Sequence, residues 1–271
     1  MYLTRHQTEQ GIRWARDGHF LPQDITLSSL LSMSQATMLD TLRALPEPIA
    51  ASGELQAPIE AAQEVWASGV TYLRSREARK NESDVGDVYE MVYDASRPEL
   101  FFKAAGWRVK GHEQPLRIRR DSHWDVPEPE LVLVINSQMD IVGYCAGNDM
   151  SSRSIEGENP LYLPQAKVYD GSCALGPGII LTERDEMRAL TIGLSIYRDE
   201  ALAFQEEISI AQMKRSFEEL VACLGQELSF PYGVFLMTGT GIVPPDHFTL
   251  QAGDRVEIHV GALHLHNQVT K

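Results

Sequence analysis

Cys145, Cys173 and Cys223 are the only cysteines in 271 residues, and no two stand at the C-x-x-C spacing of a zinc or redox motif. So sparse a set makes no disulfide frame and suits reduced, buried thiols in a cytoplasmic protein. Long apolar runs are missing too: nowhere do 18 apolar residues follow one another, so no spanning helix is expected. The opening MYLTRHQTEQGIRWARDG has no apolar centre of the kind a secretory signal carries. Positive charge is scarce, with 24 Lys and Arg against 38 Asp and Glu and a net charge of −14. That balance argues against nucleic acid or an anionic membrane as a partner. The chain contains no G-x-G-x-x-G, no Walker loop and no G-x-S-x-G, so dinucleotide, phosphate-cradle and serine-nucleophile enzymes have no support.

The apolar content of 43% is enough for a sizeable core. Residues 1–45 read as a small leading region. Within it Ser34 caps a helix with Met38, Leu39, Leu42 and Leu45 on one side. The stretch 46-PEPIAASGELQAP-58 reads as a linker, and 59-IEAAQEVWAS as a short helix before a strand at 69-GVTYL. A charged stretch, helical in part, leads to 98-PELFFKA, after which further strands are expected at 115-PLRIRR, 130-ELVLVI, 141-IVGYCAG, 178-GIILT, 191-TIGLSIYR, 233-GVFLMTG, 254-DRVEIHV and 262-ALHLHNQV. One helix interrupts them: Ser209 caps a face of Ile210, Met213, Phe217, Leu220, Val221 and Leu224, closed by Gly225. The fold class is mainly β with helical additions (α+β).

Chemistry begins at 127-PEPELVLVI-135. Glu128 and Glu130 stand two apart in extended chain and so face one way. Alone, such a pair is most often a solvated strand end. Held side by side away from water, both stay ionised if a cation lies between them, or they share a proton. If the next strand returns around Ser137–Asp140, residue 149 comes back to the level of residue 128 and Asp149 joins the pair. Three carboxylates with no adjacent His or Cys describe a site for a hard cation, Mg²⁺ or Mn²⁺.

Asp149 also opens the long polar segment 148-NDMSSRSIEGENPLYLPQAKVYDGSCALGPG-178, which carries Lys167 near its far end. A lone lysine is ordinarily a solvated charge. One bracketed by Pro164 and Val168-Tyr169, on a segment anchored at a metal, is a candidate general base. Arg153, in the same segment, either meets substrate or pairs with Glu156 or Glu158 as scaffolding. His264 and His266 share a strand face and read as solvated.

The segment GYCAGNDMSSRSIEGENPLYLPQAKVYDGSCALGP, preceded by PEPELVLVI, resembles the fumarylacetoacetate hydrolase superfamily. The likeness spans about residues 66–270, including 236-LMTGTG-241 and 251-QAGDRVEIHV. It implies a mixed β-sheet roll or barrel over 66–271, with 1–65 as a small N-terminal region. Through SREAR (75–79), RPELFFK (97–103) and ENPLYLPQAK (158–167), the chain is most similar to the 2-keto-3-deoxy sugar-acid dehydratases of that superfamily, of the 2-keto-3-deoxy-D-arabinonate type. The resemblance implies Glu128, Glu130 and Asp149 as Mg²⁺ ligands and Lys167 as a catalytic lysine. It further implies Glu99 as a second acid/base residue, Thr238 or Thr240 at the substrate carboxylate, and a homodimer or homotetramer. The hydrolases of the superfamily activate water with a Y-x-x-H-x-x-E pattern, where 72-YLRSREA-78 has Ser75 and Ala78. That departure favours a lyase.

The expected function is therefore Mg²⁺-dependent dehydration of a 2-keto-3-deoxy sugar acid, a pentonate giving 2,5-dioxopentanoate, in carbohydrate catabolism. An acylpyruvate or diketo-acid hydrolase or decarboxylase on the same metal site is the rival, and a non-catalytic binding protein is the third reading.

Overall fold

The computed structural model describes residues 1–46, 49–74 and 92–271. The chain opens with β1 (Tyr2–Thr8), β2 (Gly11–Arg16) and β3 (His19–Phe20). Helices Leu27–Leu31 and Gln35–Ala44 follow, then β4 (Glu54–Gln56) and β5 (Glu64–Gly69). Next come β6 (Glu99–Ala105), β7 (Leu116–Arg117), β8 (Asp125–Val126), β9 (Pro129–Ile135) and β10 (Ile141–Asp149). The polar segment supplies β11 (Ser151–Ser152) and helices Arg153–Glu158 and Leu163–Lys167. Last are β12 (Cys173–Leu181), β13 (Thr191–Arg198), β14 (Ala201–Ser209), helix Phe217–Leu224, β15 (Val234–Met237), β16 (Arg255–Val260) and β17 (Leu263–Thr270).

Two main sheets form. The larger runs β3-β2-β1-β12-β10-β9-β15-β5-β6, with β4 on β1; the smaller runs β14-β13-β16-β17-β7. The apolar run ELVLVI makes β9 a strand that is buried along its whole length, as expected of a central strand covered on both faces. It pairs antiparallel with β10 on one side and β15 on the other. The smaller sheet packs on β9, β10 and β12, burying Leu194, Ile196, Val256, Ile258 and Leu265 from its side.

The β9–β10 hairpin turns on Asn136, whose Oδ1 accepts the N–H groups of Gln138 (3.0 Å) and Asp140 (2.8 Å). Just past the turn the register shifts: Ile141 lies opposite Ile135 but Gly143 lies opposite Val134, so Val142 is an extra residue. From there the ladder runs unbroken to Asn148 opposite Pro129. The expected return of residue 149 to residue 128 is confirmed by the Asp149 N–H, which donates to the Glu128 carbonyl at 2.9 Å.

Several local expectations are corrected. Residues 64–69 form β5 rather than the end of a helix, paired parallel to β15 and antiparallel to β6. Gly69 ends that strand, and Val70 turns with φ 54°, so GVTYL is no strand. Ser209 caps only the 3-10 turn Ile210–Gln212, and the helix starts at Phe217 under a separate cap, Ser216. The intervening Lys214 N–H is drawn off to the Thr71 carbonyl, which breaks a continuous helix. Strands β1 to β4, β8, β11 and β14 are additional to those expected, with β4 inside the stretch read as a linker; β1 pairs with β12, so residues 2–16 extend the same sheet that carries β9 and β10. The Ser34-capped helix forms as expected, burying Met38 and Leu42. Cys145 and Cys173 are buried free thiols and Cys223 is half-buried. No helix among the described residues is long and apolar enough to cross a membrane.

Candidate active site

The register of β9 against β10 places Glu128, Glu130 and Asp149 on one face. All three are buried, and one oxygen from each lies within 4.8 Å of the others. Burial first, and then the charges of Asp149 and Glu128, push the Glu130 carboxyl well above the usual glutamate range. Gly239 N–H donates to its Oε2 at 2.5 Å and pulls the other way. An all-carboxylate oxygen set, buried and converging, fits a hard divalent cation and little else.

Among the described residues, three buried cations stand around the carboxylates. Lys167 Nζ donates to Glu128 Oε2 (2.7 Å), Asp149 Oδ2 (2.9 Å) and Ser151 Oγ (2.6 Å). Lys103 Nζ lies 2.5 Å from Asp149 Oδ1. Arg153 reaches Glu128 Oε1 with Nη2 at 3.0 Å and Glu156 Oε2 with Nη1 at 3.5 Å. Isolated charges are costly to bury, and here each is held by partners of opposite sign.

The polar segment is an ordered scaffold built in capped steps. Ser152 Oγ accepts the Ile155 N–H and starts the helix that carries Arg153 and Glu156. Asn159 Oδ1 accepts the Leu161 N–H at 2.9 Å and starts the turn at Pro160. Leu163–Lys167 then delivers Lys167 at its last position, buried, with the Nζ 5.6 Å from the centre of the Phe101 ring.

Glu99 comes from β6. Its carboxyl lies over Gly69, where a Cβ would stand 1.9 Å from Glu99 Oε2. Glu99, Lys167, Glu128, Asp149, Arg153, Glu156 and Thr240 share one cavity, with Phe101 and Leu163 as its apolar wall. At ≈ 20 Å³ it holds little more than one water-sized group. A larger groove of ≈ 560 Å³ beside Met139 and Asp140 contains none of these residues. Among the described residues no histidine lines the cavity. Ser75 and Ala78, and the SREAR stretch, lie outside the described residues.

Of the two threonines, Thr240 lines the cavity, while the buried Thr238 donates its hydroxyl to the Leu131 carbonyl at 2.9 Å. Arg153 does pair with Glu156, as scaffolding would require, and also with Glu128. His264 is exposed and His266 half-buried, on the outer face of the smaller sheet. Sequence reasoning missed Lys103 and Ser151. The signal for Lys103 was a charged residue inside the apolar strand ELFFKAA.

Comparison with known proteins places this geometry. The family described as fumarylacetoacetate (FAA) hydrolase C-terminal matches residues 64–270. A probable 2-keto-3-deoxyxylonate dehydratase of Haloferax volcanii is 46% identical over 215 residues, 79% of this chain and 74% of that one. The 2-dehydro-3-deoxy-D-arabinonate dehydratase of Saccharolobus solfataricus is 43% identical over 205 residues, 73% of this chain and 68% of that one. Among solved structures, a 2-keto-3-deoxy-D-arabinonate dehydratase complexed with magnesium and 2,5-dioxopentanoate superposes with a TM-score of 0.85 at 32% identity, covering 100% of this chain and 99% of the other. With two mixed sheets, a buried carboxylate trio and a family match over three quarters of its length, the chain belongs to the fumarylacetoacetate hydrolase family.

Proposed function

We propose that the protein is a Mg²⁺-dependent hydro-lyase that converts a 2-keto-3-deoxypentonate into 2,5-dioxopentanoate. The observation that carries this reading is one cavity in which a buried ammonium, Lys167, and a carboxyl outside the ligand trio, Glu99, flank the acidic cluster. A dehydratase needs that pairing, one group to remove a carbon-bound proton and one to protonate the departing hydroxyl. The relatives at 46% and 43% identity are named for this chemistry, and the similar solved structure holds magnesium with the expected product.

Glu128, Glu130 and Asp149 would hold the ion. When bound, Mg²⁺ supplies Lewis-acid polarisation of the keto acid's carboxylate and ketone oxygens. With a cation held there, the Glu128 and Asp149 charges that pair with the Lys167 ammonium would be offset, so that the ammonium could give its proton to solvent and become a neutral amine. The neutral Lys167 amine takes a proton from C3, and protonated Glu99 gives one to the C4 hydroxyl, which leaves as water. The C3–C4 double bond so formed is conjugated with the C2 ketone. Glu99, now a carboxylate, takes a proton from C5 while Lys167 returns one to C3. The resulting C4–C5 enol becomes the C5 aldehyde, and the atoms balance as substrate minus one water. Arg153 and Thr240 line the same cavity and are the candidates for contacts to the acid and its hydroxyls.

In the same reading residues 66–271 are the catalytic domain and 1–65 an N-terminal addition, and the protein works in the cytoplasm as a homodimer or homotetramer. Light scattering on the purified protein checks the oligomer. The function itself is tested by incubation with 2-keto-3-deoxy-D-arabinonate and -xylonate with and without Mg²⁺, followed by mass spectrometry. Loss of one water with aldehyde formation is the expected result. Two carbon fragments, or released carbon dioxide from a diketo acid, would replace this reading with the hydrolase or decarboxylase.

A further inference from the structure

We propose that Lys103 is a positioning residue: one buried ammonium that fixes Asp149 and, through the backbone, the lysine that faces it. Lys103 is fully buried, with no exposed surface. Of the three N–H donors of an ammonium, two meet the Met150 carbonyl at 3.0 Å and the Lys167 carbonyl at 2.5 Å as acceptors, and Asp149 Oδ1 lies 2.5 Å from the Nζ as an ion-pair partner. Those acceptors come from two separate pieces of chain, the end of β10 and the end of the helix Leu163–Lys167. One side chain thus ties a candidate metal ligand to the backbone of the candidate base.

The local structure of β6 is arranged around this residue. Trp66 of β5 lies opposite Phe102 and Val65 opposite Ala104, so Lys103 is the extra residue of a bulge and has no cross-strand partner. Bulges bend a strand and re-aim a side chain. Here the re-aimed side chain is the only lysine of the strand, on the same element that supplies Glu99 and Phe101 to the cavity.

The two lysines are placed for different tasks. Lys167 lines the cavity, and among the described residues its Nζ donates to the side chains of Glu128, Asp149 and Ser151. Lys103 is held by two main-chain carbonyls and does not line the cavity. Entry of an ion or substrate therefore rearranges the contacts of Lys167 and leaves those of Lys103 in place. Asp149 keeps its orientation because Oδ1 stays anchored, and Lys167 keeps its backbone position while its Nζ is released.

This inference rests on the dehydratase reading for its kinetic arm only. The variants are Lys103→Met, which keeps the length and removes charge and donors, and Lys103→Gln, which keeps two N–H donors without the charge. Calorimetric Mg²⁺ titration is expected to show affinity about 10- to 100-fold weaker in Lys103→Met, the range for losing a side chain that orients a ligand. With Mg²⁺ saturating, kcat is expected to fall about as far while KM for the keto acid moves less than about threefold, because alignment rather than binding is lost. A structural filler would lower the melting temperature and leave both quantities alone. Mg²⁺ affinity and kcat within about twofold of the unsubstituted protein would overturn the proposal. If Lys103→Met does not fold, Lys103→Gln is read in the same way, with the same values supporting or overturning it. Should the unsubstituted protein turn over no 2-keto-3-deoxy acid, the dehydratase reading fails, and the Mg²⁺ titration still decides the role of Lys103.

Discussion

Lys103 and Lys167 divide Asp149 between them, the first at 2.5 Å from Oδ1 and the second at 2.9 Å from Oδ2. A carboxylate held at both oxygens has little freedom to rotate, so the cluster is pre-shaped before any ion arrives. Pre-shaping lowers the ordering cost of binding and leaves more of the interaction for orientation. Each testable consequence follows from which of these contacts is cut.

Lys167→Ala removes the proposed base and leaves the three candidate ligand carboxylates intact. Turnover is expected to drop by about 10²- to 10⁴-fold, with Mg²⁺ binding retained by calorimetry. A variant that keeps near-normal kcat assigns the base elsewhere.

Asp149→Asn strikes the ligand trio and strands Lys103 beside a neutral amide. Adding Mg²⁺ should then no longer raise the melting temperature. In the unsubstituted protein it should do so by mass action, and EDTA should abolish turnover until Mg²⁺ is restored. Differential scanning calorimetry with and without Mg²⁺ reads both.

The Glu130 carboxyl is pushed well above its ordinary 4.5 by burial and by its acidic neighbours. An acid raised in the fold stabilises the protein while protonated. That contribution is complete below pH 4.5 and is lost as pH rises through the folded value. Glu130→Gln cannot ionise, so in EDTA it should melt above the unsubstituted protein at about pH 8 and lose the advantage toward about pH 5. A melting difference that does not change with pH would contradict this.

Gly69→Ala puts a methyl group where Glu99 Oε2 lies, at 1.9 Å. The methyl displaces the carboxyl without touching a ligand, and kcat is expected to fall about tenfold or more through lost alignment. Mg²⁺ affinity should be unchanged. If kcat survives while Glu99→Gln abolishes it, the carboxyl works from a position other than the one seen.

Much of the site could be read in the sequence because it rests on short-range rules. The alternation of an extended chain put Glu128 and Glu130 together, and one tight reversal brought Asp149 to them. Lys103 was not legible, since its meaning depends on acceptors 46, 47 and 64 positions away. The fold divides in the same way. The uniformly apolar β9 announced itself, whereas β14 is an edge strand with its leading residues exposed, and it carries too weak an apolar alternation to be read. Residues 59–68 mimic a helix in spacing, and only the partners β6 and β15 make 64–69 a strand.

Val142, far from the chemistry, chooses which side chain takes part in it. Were Val142 paired opposite Val134 instead of bulged out, the ladder would bring Asn148 opposite Glu128, and Asp149 would slip past to the other side of the sheet. A carboxamide brings no negative charge to offset a divalent ion. Adding one residue to β10 beyond the bulge should therefore silence the enzyme as surely as removing the aspartate, though every acidic residue would still be present.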